Sequence, residues 1–237
     1  MSTSPDLTAP TGRRAFFKRA GFGLGAVAAA STLAACDSDG IDDDADVSLD
    51  FSNDFGILNY AYALEQLEAA FYATVVGDAA FASTFNADER SILDDLAAHE
   101  AIHRDFLRAA IVMAGGESAV IGSLTPNFSS VDFDSRTSVL QTSLALEDTG
   151  VGAYNGAGRY ISDDGYLLLA GKIVSVEARH ASVIAGLLND NAIAGDGTVT
   201  SDTALDLALR PAEVVGRNGR ATPFIQDSIA VRNVPTA

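Results

Sequence analysis

The sequence predicts an all-α protein, a four-helix bundle with a long crossover between the second and third helices. Three observations lead to this fold class. Four long stretches carry apolar residues at three- and four-residue steps, which is the spacing of amphipathic helices. The links between these stretches are short, long and short, as a bundle with one long crossover requires. Two of the stretches also contain the same short pattern, Glu-x-x-His.

The first predicted helix covers residues 54–76. Its core-facing stripe includes Leu58, Glu65 and Tyr72, so Glu65 lies where an unpaired carboxylate would be costly. Glu68 follows one turn later, slightly to the side of the stripe. We expect Glu68 to be exposed, with metal ligation as the alternative.

The second predicted helix begins after Asn86 and extends to about residue 114. Asn86 with Glu89 three residues later is a variant of the capping box, which marks a helix start. Gly115 and Gly116 mark its end. The connection that follows, residues 117–134, contains Pro126 and several serines, so it is predicted to be the long crossover.

The third predicted helix covers about residues 135–161 and carries Glu147 on its apolar stripe. Four glycines between residues 150 and 158 weaken its second half by up to ~1 kcal/mol each relative to alanine. Either close packing offsets this loss or the helix end frays. The fourth helix covers about residues 164–190. Beyond it, a short helix is expected at residues 202–210.

The repeated pattern occurs at Glu100–His103 and at Glu177–His180, and it includes two of the chain's three histidines. Residues three apart on a helix lie on one face, so each carboxylate points the same way as its imidazole. Glu65 and Glu147 lie at comparable depth in the two remaining helices. One Glu from each of two helices plus Glu-x-x-His from each of the others is the ligand set of di-iron and di-manganese carboxylate bundles.

The predicted cofactor is therefore a pair of Fe or Mn ions, because carboxylate and imidazole ligands suit these metals. Glu100 and Glu177 are the predicted bridging ligands, and each histidine supplies one imidazole to one ion. The alternative is a metal-free polar network, or residues spaced this way by coincidence. Four buried carboxylates without a metal would repel one another. The predicted ligands are Glu65, Glu100, His103, Glu147, Glu177 and His180.

Two tyrosines and the third histidine lie close to these ligands in the sequence. Tyr72 follows Glu65 by seven residues, and Tyr154 follows Glu147 by the same distance, two turns along each helix. They are candidates to donate hydrogen bonds to the centre or to act as redox-active phenols; the alternative is that they are ordinary core aromatics. His99 is rotated about 100° from Glu100 and is expected on the helix face or beside the ligands.

The N-terminal residues 1–35 have the features of an export signal rather than a membrane span. Arg13 and Arg14 open a basic region that resembles a twin-arginine signal, and an apolar run then ends in Leu-Ala-Ala-Cys, which resembles a lipoprotein processing site. Cys36 is predicted to carry the lipid. The alternative is an uncleaved N-terminal membrane anchor. Residues 36–50 are predicted to form a mobile acidic tether.

The formal net charge of −17 limits the classes of partner. An acidic surface repels nucleic acid, so no nucleic-acid partner is expected. The expected membrane contact is through lipidated Cys36, at the periplasmic side or the cell surface, and a homodimer is compatible with the sequence. A single cysteine excludes intramolecular disulfides.

The segments around the ligands resemble the ferritin-like domain proteins related to plant desiccation-associated proteins. The similar segments begin at Leu64-Glu65-Gln66-Leu67-Glu68, His99-Glu100, Leu146-Glu147-Asp148 and Val176-Glu177. The resemblance covers about residues 50–190 and implies a ferritin-like four-helix bundle over residues 51–190, with a C-terminal extension over 191–237. In the wider superfamily this ligand arrangement supports ferrous oxidation, dioxygen activation and manganese catalase chemistry, so the fold does not select one of them.

Two functions from different classes are therefore expected. The first is a metal-dependent oxidoreductase or ferroxidase at the cell envelope, which oxidises ferrous iron or reacts with dioxygen or peroxide. The second is a structural or stress-protective envelope protein that keeps the scaffold without catalysis. The complete set of six ligands favours the first, and the acidity and the lack of a recognisable substrate motif favour the second.

Overall fold

The computed structural model describes residues 44–188, 199–200 and 202–236, and it confirms the predicted all-α bundle. The four long helices begin and end within a few residues of the predicted positions. A small two-stranded sheet and two short helices accompany them. In chain order the elements are β1 (Val47–Asp50), α1 (Asp54–Gly77), α2 (Phe81–Thr84), α3 (Ala87–Gly115), α4 (Arg136–Ala157), α5 (Asp164–Leu188), α6 (Pro211–Val215) and β2 (Ile229–Arg232).

The bundle consists of two helix hairpins. Helix α1 packs along α3, and α4 packs along α5, while the long connection between α3 and α4 joins the hairpins. Helix α1 also contacts α4, and most of its surface is buried. Asn53 caps its start by accepting hydrogen bonds from the backbone N–H groups of Phe55 and Gly56. The centre of α1 therefore lies in the interior of the bundle.

The predicted capping box at the start of α3 is present and also links neighbouring helices. Asn86 Oδ1 accepts from Glu89 N at 3.0 Å, and the Glu89 carboxylate accepts from Asn86 N at 2.9 Å. Arg136 at the start of α4 donates from Nε to Glu89 Oε1 at 2.7 Å, and from its guanidinium to the carbonyl of Leu187 at 2.7 Å. One arginine thus connects α3, α4 and the end of α5.

Two of the glycines of α4, Gly152 and Gly156, permit close packing against the C-terminal segment. Leu209, in the C-terminal segment, lies directly against this helix and donates from its backbone N to Gly152 O at 2.9 Å. A Cβ at Gly156 would lie 1.7 Å from Leu209 O, and a Cβ at Gly152 would lie 2.7 Å from Leu209 Cδ1. Only glycine permits this approach, so the helix propensity lost in α4 is offset by packing.

We expect Gly156→Ala to lower the free energy of unfolding by about 2–3 kcal/mol, because the added methyl group overlaps a backbone carbonyl that cannot rotate away. The matched control is Gly171→Ala in α5, where an added Cβ meets nothing within 4 Å. That substitution is expected to stabilise the protein by roughly 0.5–1 kcal/mol through helix propensity. Urea unfolding of both variants checks the prediction, and equal midpoints would contradict it.

Two expectations for the regions outside the bundle are corrected. Residues 47–50 do not belong to a mobile tether, because they form β1 and pair in parallel with β2, from Val47 opposite Ile229 to Asp50 opposite Arg232. The helix expected at residues 202–210 is absent from the residues described there. Ala204 has a φ of 54°, which an α-helix does not allow. The helix starts instead at Pro211, where proline is favoured in the first turn.

The predicted export signal at residues 1–35, with Arg13 and Arg14, lies outside the described residues, as does Cys36. Within the described ranges, none of the helices combines the length and apolar character needed to cross a bilayer.

Candidate metal centre

The four long helices bring all six predicted ligand residues together in the middle of the bundle. Helix α1 supplies Glu65, and α4 supplies Glu147. Helices α3 and α5 each supply a glutamate and, one turn later, a histidine. The four carboxylate residues have no solvent exposure. His180 is buried and His103 is partly buried, with 13% of its side chain exposed.

The side chains form two overlapping groups of four. In the first, one ligand atom from each of Glu65, Glu100, His103 and Glu177 lies within 4.8 Å of all the others. In the second, the same holds for Glu100, Glu147, Glu177 and His180. Glu100 and Glu177 belong to both groups. This sharing is what two adjacent ions with bridging carboxylates require.

The two groups are related by an approximate two-fold axis. His103 Nδ1 lies 2.8 Å from Glu177 Oε1, and His180 Nδ1 lies 2.7 Å from Glu100 Oε1. His103 Nδ1 also lies 3.5 Å from Glu65 Oε2, and His180 Nδ1 lies 3.4 Å from Glu147 Oε2. The similar spacing of the ligands in the two halves of the sequence thus corresponds to similar geometry in space.

Each of the two tyrosines donates a hydrogen bond to a ligand carboxylate on the opposite helix. Tyr72 on α1 donates to Glu147 Oε1 at 2.5 Å, and Tyr154 on α4 donates to Glu65 Oε1 at 2.5 Å. Tyr72 also hydrogen-bonds Ser143. The sequence placed each tyrosine on the same face as the glutamate of its own helix. The structure pairs them across the bundle, because α1 and α4 face each other.

The remaining oxygens and nitrogens fit a pair of bound ions. Glu65 and Glu147 each have one oxygen bonded to tyrosine, and their Oε2 atoms have no hydrogen-bond partner among the described residues. Both oxygens of Glu100 and of Glu177 and both histidine Nδ1 atoms are also buried, and apart from the short carboxylate–imidazole contacts within the cluster they have no partner there. Buried polar atoms almost always have partners. One free oxygen on each terminal carboxylate and two on each shared carboxylate match terminal and bridging ligation.

Burial raises the pKa values of three of these carboxyl groups. The pKa of Glu177 rises to about 8 and that of Glu147 to about 7. The pKa of Glu65 rises well above its usual range, through burial and then through the charge of Glu177. In each case a low-polarity site and neighbouring carboxylates disfavour the anion. The cluster is therefore short of positive charge.

The pKa values of Glu100, His103 and His180 indicate the same shortage of positive charge among the buried carboxylates. Burial alone would raise the pKa of Glu100, but hydrogen bonds from His103 and His180 outweigh it and lower the pKa to about 2. Burial would lower the histidine pKa values, yet contacts with the carboxylates raise them to about 12 for His103 and about 10 for His180. Divalent cations would supply the positive charge that these buried carboxylates require.

Two further side chains adjoin the centre. Glu68 was expected to be exposed, but its residue exposure is 2% and burial raises its pKa well above the usual range. The signal for this was the lack of a polar face on α1, since a helix that is apolar all round is buried. His99 Nδ1 lies 3.0 Å from His180 Nε2, with the rings stacked, so it lies beside a ligand as expected.

The donor set has a clear chemical preference. Carboxylate oxygens and imidazole nitrogens suit iron and manganese, and the cluster contains no thiolate that would favour an iron–sulfur centre. The residues present therefore fit the predicted di-metal centre.

Comparison with known proteins agrees with this fold. A family model described as a ferritin-like domain matches residues 53–190, which spans all four long helices. A search of curated proteins finds no match. Because the family match covers more than half of the chain and includes every residue of the cluster, the protein belongs to the ferritin-like domain family.

Proposed function

We propose that this protein binds a dinuclear Fe or Mn centre and uses it to oxidise ferrous iron or to react with dioxygen or peroxide. The observation that carries the proposal is the pair of overlapping four-residue groups that share Glu100 and Glu177. When bound, two such ions supply the redox equivalents for this chemistry. The sequence resemblance to desiccation-associated proteins supports a role in stress protection.

The residues of the chain have defined roles in this proposal. The bundle interior excludes water from the four carboxylates, which strengthens their attraction for cations. Tyr72 and Tyr154 hold one oxygen of each terminal carboxylate, which fixes the other oxygen toward the centre. His99 orients the ring of His180 through its hydrogen bond. His99 is exposed, so it connects the buried ligand with solvent.

We further propose that the protein is exported and held at a membrane by lipid on Cys36. The support is the sequence alone: Arg13 and Arg14 in a basic region, followed by an apolar run and Leu-Ala-Ala-Cys. We also propose that the protein forms a homodimer. Export of a folded chain would allow the ions to be loaded before the protein leaves the cytoplasm.

The test is metal analysis followed by a turnover assay. The protein is loaded anaerobically with Fe(II) or Mn(II), and bound metal is measured by elemental analysis. Ferrous oxidation and peroxide consumption are then followed in the wild type and in Glu177→Ala. We expect about two ions per chain in the wild type, with turnover that Glu177→Ala abolishes. Glu117→Ala, on the exposed surface, is the control.

The second candidate is a structural or stress-protective envelope protein on the same scaffold. The net charge of −17 favours it, because a strongly acidic surface keeps a protein soluble when water is scarce. Bound ions without ferrous oxidation or peroxide turnover would support this candidate. A folded protein that stays empty after loading with both metals would contradict the di-metal centre itself.

A further inference from the structure

Glu68 is a buried carboxylate that the six-ligand centre does not use. It follows Glu65 by one turn of α1 and has an exposure of 2%. Its Oε2 atom is buried and has no hydrogen-bond partner among the described residues. A carboxylate buried in this way is costly unless a cation or a donor compensates it.

The approximate two-fold symmetry of the centre is broken at this residue. Glu65 corresponds to Glu147, and the position that corresponds to Glu68 is Gly150, three residues further along α4. A Cβ at Gly150 would lie 3.0 Å from Glu68 Oε1. Side chains at the two equivalent positions would therefore compete for the same space, and the Glu68 carboxylate occupies it.

The Glu68 carboxylate lies between α1 and α4, because the Glu68 side chain reaches from its own position to that of Gly150. Glu177 Oε2 lies 3.7 Å from the same Cβ point. Because Glu177 belongs to both ligand groups, the Glu68 carboxylate lies beside a part of the centre that both groups share.

We propose that Glu68 is a seventh ligand of the centre, a carboxylate that bridges both ions from between α1 and α4. The proposal rests on the proposed di-metal function. Glu68 belongs to neither group of atoms within 4.8 Å of one another, so its side chain must rotate toward the ions to bind them. The missing side chain at Gly150 provides the room for that rotation. The bound ions would in turn compensate the buried charge of Glu68.

The test uses Mn(II), whose paired ions give an electron paramagnetic resonance spectrum that reports the exchange coupling between them. This coupling depends on the ligands that bridge the two ions. Glu68→Gln keeps the size of the side chain and removes its charge. We expect it to weaken Mn(II) binding about ten- to a hundredfold and to change the exchange coupling. Glu117→Gln is the matched control and should change neither, because Glu117 is exposed, pairs with Arg108 and belongs to neither ligand group.

Gly150→Ala provides a second, independent variant. It leaves every carboxylate in place but puts a methyl group 3.0 Å from Glu68 Oε1, so it should change the coupling in the same direction. Wild-type coupling in both folded variants would overturn the proposal. Weaker binding with unchanged coupling would also overturn it, because loss of charge near the site would explain that result. A wild-type protein that binds neither Mn(II) nor Fe(II) would instead refute the proposed function.

Discussion

Replacing Glu100 with alanine is expected to abolish tight binding of both ions, whereas replacing Glu65 with alanine is expected to abolish tight binding of one. The reason is the sharing of ligands: Glu100 belongs to both four-residue groups, and Glu65 belongs to only one. The first change leaves both groups with three ligands, and the second leaves one group intact. By the two-fold relation, Glu147→Ala should also remove one ion, and it should be the other one.

Titration with Mn(II) monitored by calorimetry measures this difference. The expected stoichiometry falls from about two ions to none for Glu100→Ala, and to about one for each terminal variant. The double variant Glu65→Ala/Glu147→Ala is then expected to bind no ion tightly. Equal stoichiometries in the Glu100 and Glu65 variants would contradict the bridging assignment, even if both variants bind less metal than the wild type.

Removing bound metal from the protein is expected to lower its thermal stability strongly. The centre contains nine buried oxygen and nitrogen atoms, on five glutamates and two histidines, that have no hydrogen-bond partner among the described residues apart from contacts with one another. Ions that bind only the folded state stabilise it by about 4 kcal/mol for each site at a thousandfold excess over Kd. For a domain of this size, each kcal/mol corresponds to about 2–4 °C in Tm. We therefore expect a rise of roughly 10 °C or more when the chelated protein is reloaded.

Differential scanning calorimetry in EDTA, and then in Mn(II), checks this expectation. The control is the double variant Glu100→Gln/Glu177→Gln, which keeps the side-chain shapes and loses the two shared carboxylates. Its Tm should be the same with and without metal. A wild-type Tm that metal does not change would show that the centre is not a tight metal site.

Local sequence signals were sufficient to predict the bundle. The apolar spacing gave the four helices, and the Asn86–Glu89 capping box gave the start of α3. The ligand cluster was predictable for the same reason. Glu-x-x-His is a local pattern, and the helical repeat alone turns a glutamate and the histidine three residues later to the same side.

The position of Glu68 was missed because the prediction assigned one core-facing stripe to α1. That assumption fails for this helix, because α3, α4 and β1 all pack against it and bury most of its surface. The partners of Tyr72 and Tyr154 were missed for a related reason. Spacing along one helix shows which residues share a face, but the partner across the bundle depends on how α1 and α4 are placed against each other.

The extension after the bundle was the least predictable part. Leu209 fits against α4 because of two glycines that are distant in sequence, and no local pattern connects them. The same is true of β1, whose four residues carry no strand signal strong enough to distinguish them from the acidic stretch before them. Their partner strand begins at Ile229, far along the chain. Local periodicity cannot report pairing at such a distance.

The small sheet has a consequence for the order in which the fold is completed. Asp46 and Ser228 hydrogen-bond across 182 residues, and among the residues that the structure describes β1 next to them pairs with β2 alone. The chain between the two strands is thus a closed loop that contains the entire bundle. Such a distant contact forms late, because its loop-closure entropy must be overcome first. A growing chain, or one truncated before residue 229, lacks the strand that places Val231 opposite Leu49, so β1 stays unpaired until β2 has been made.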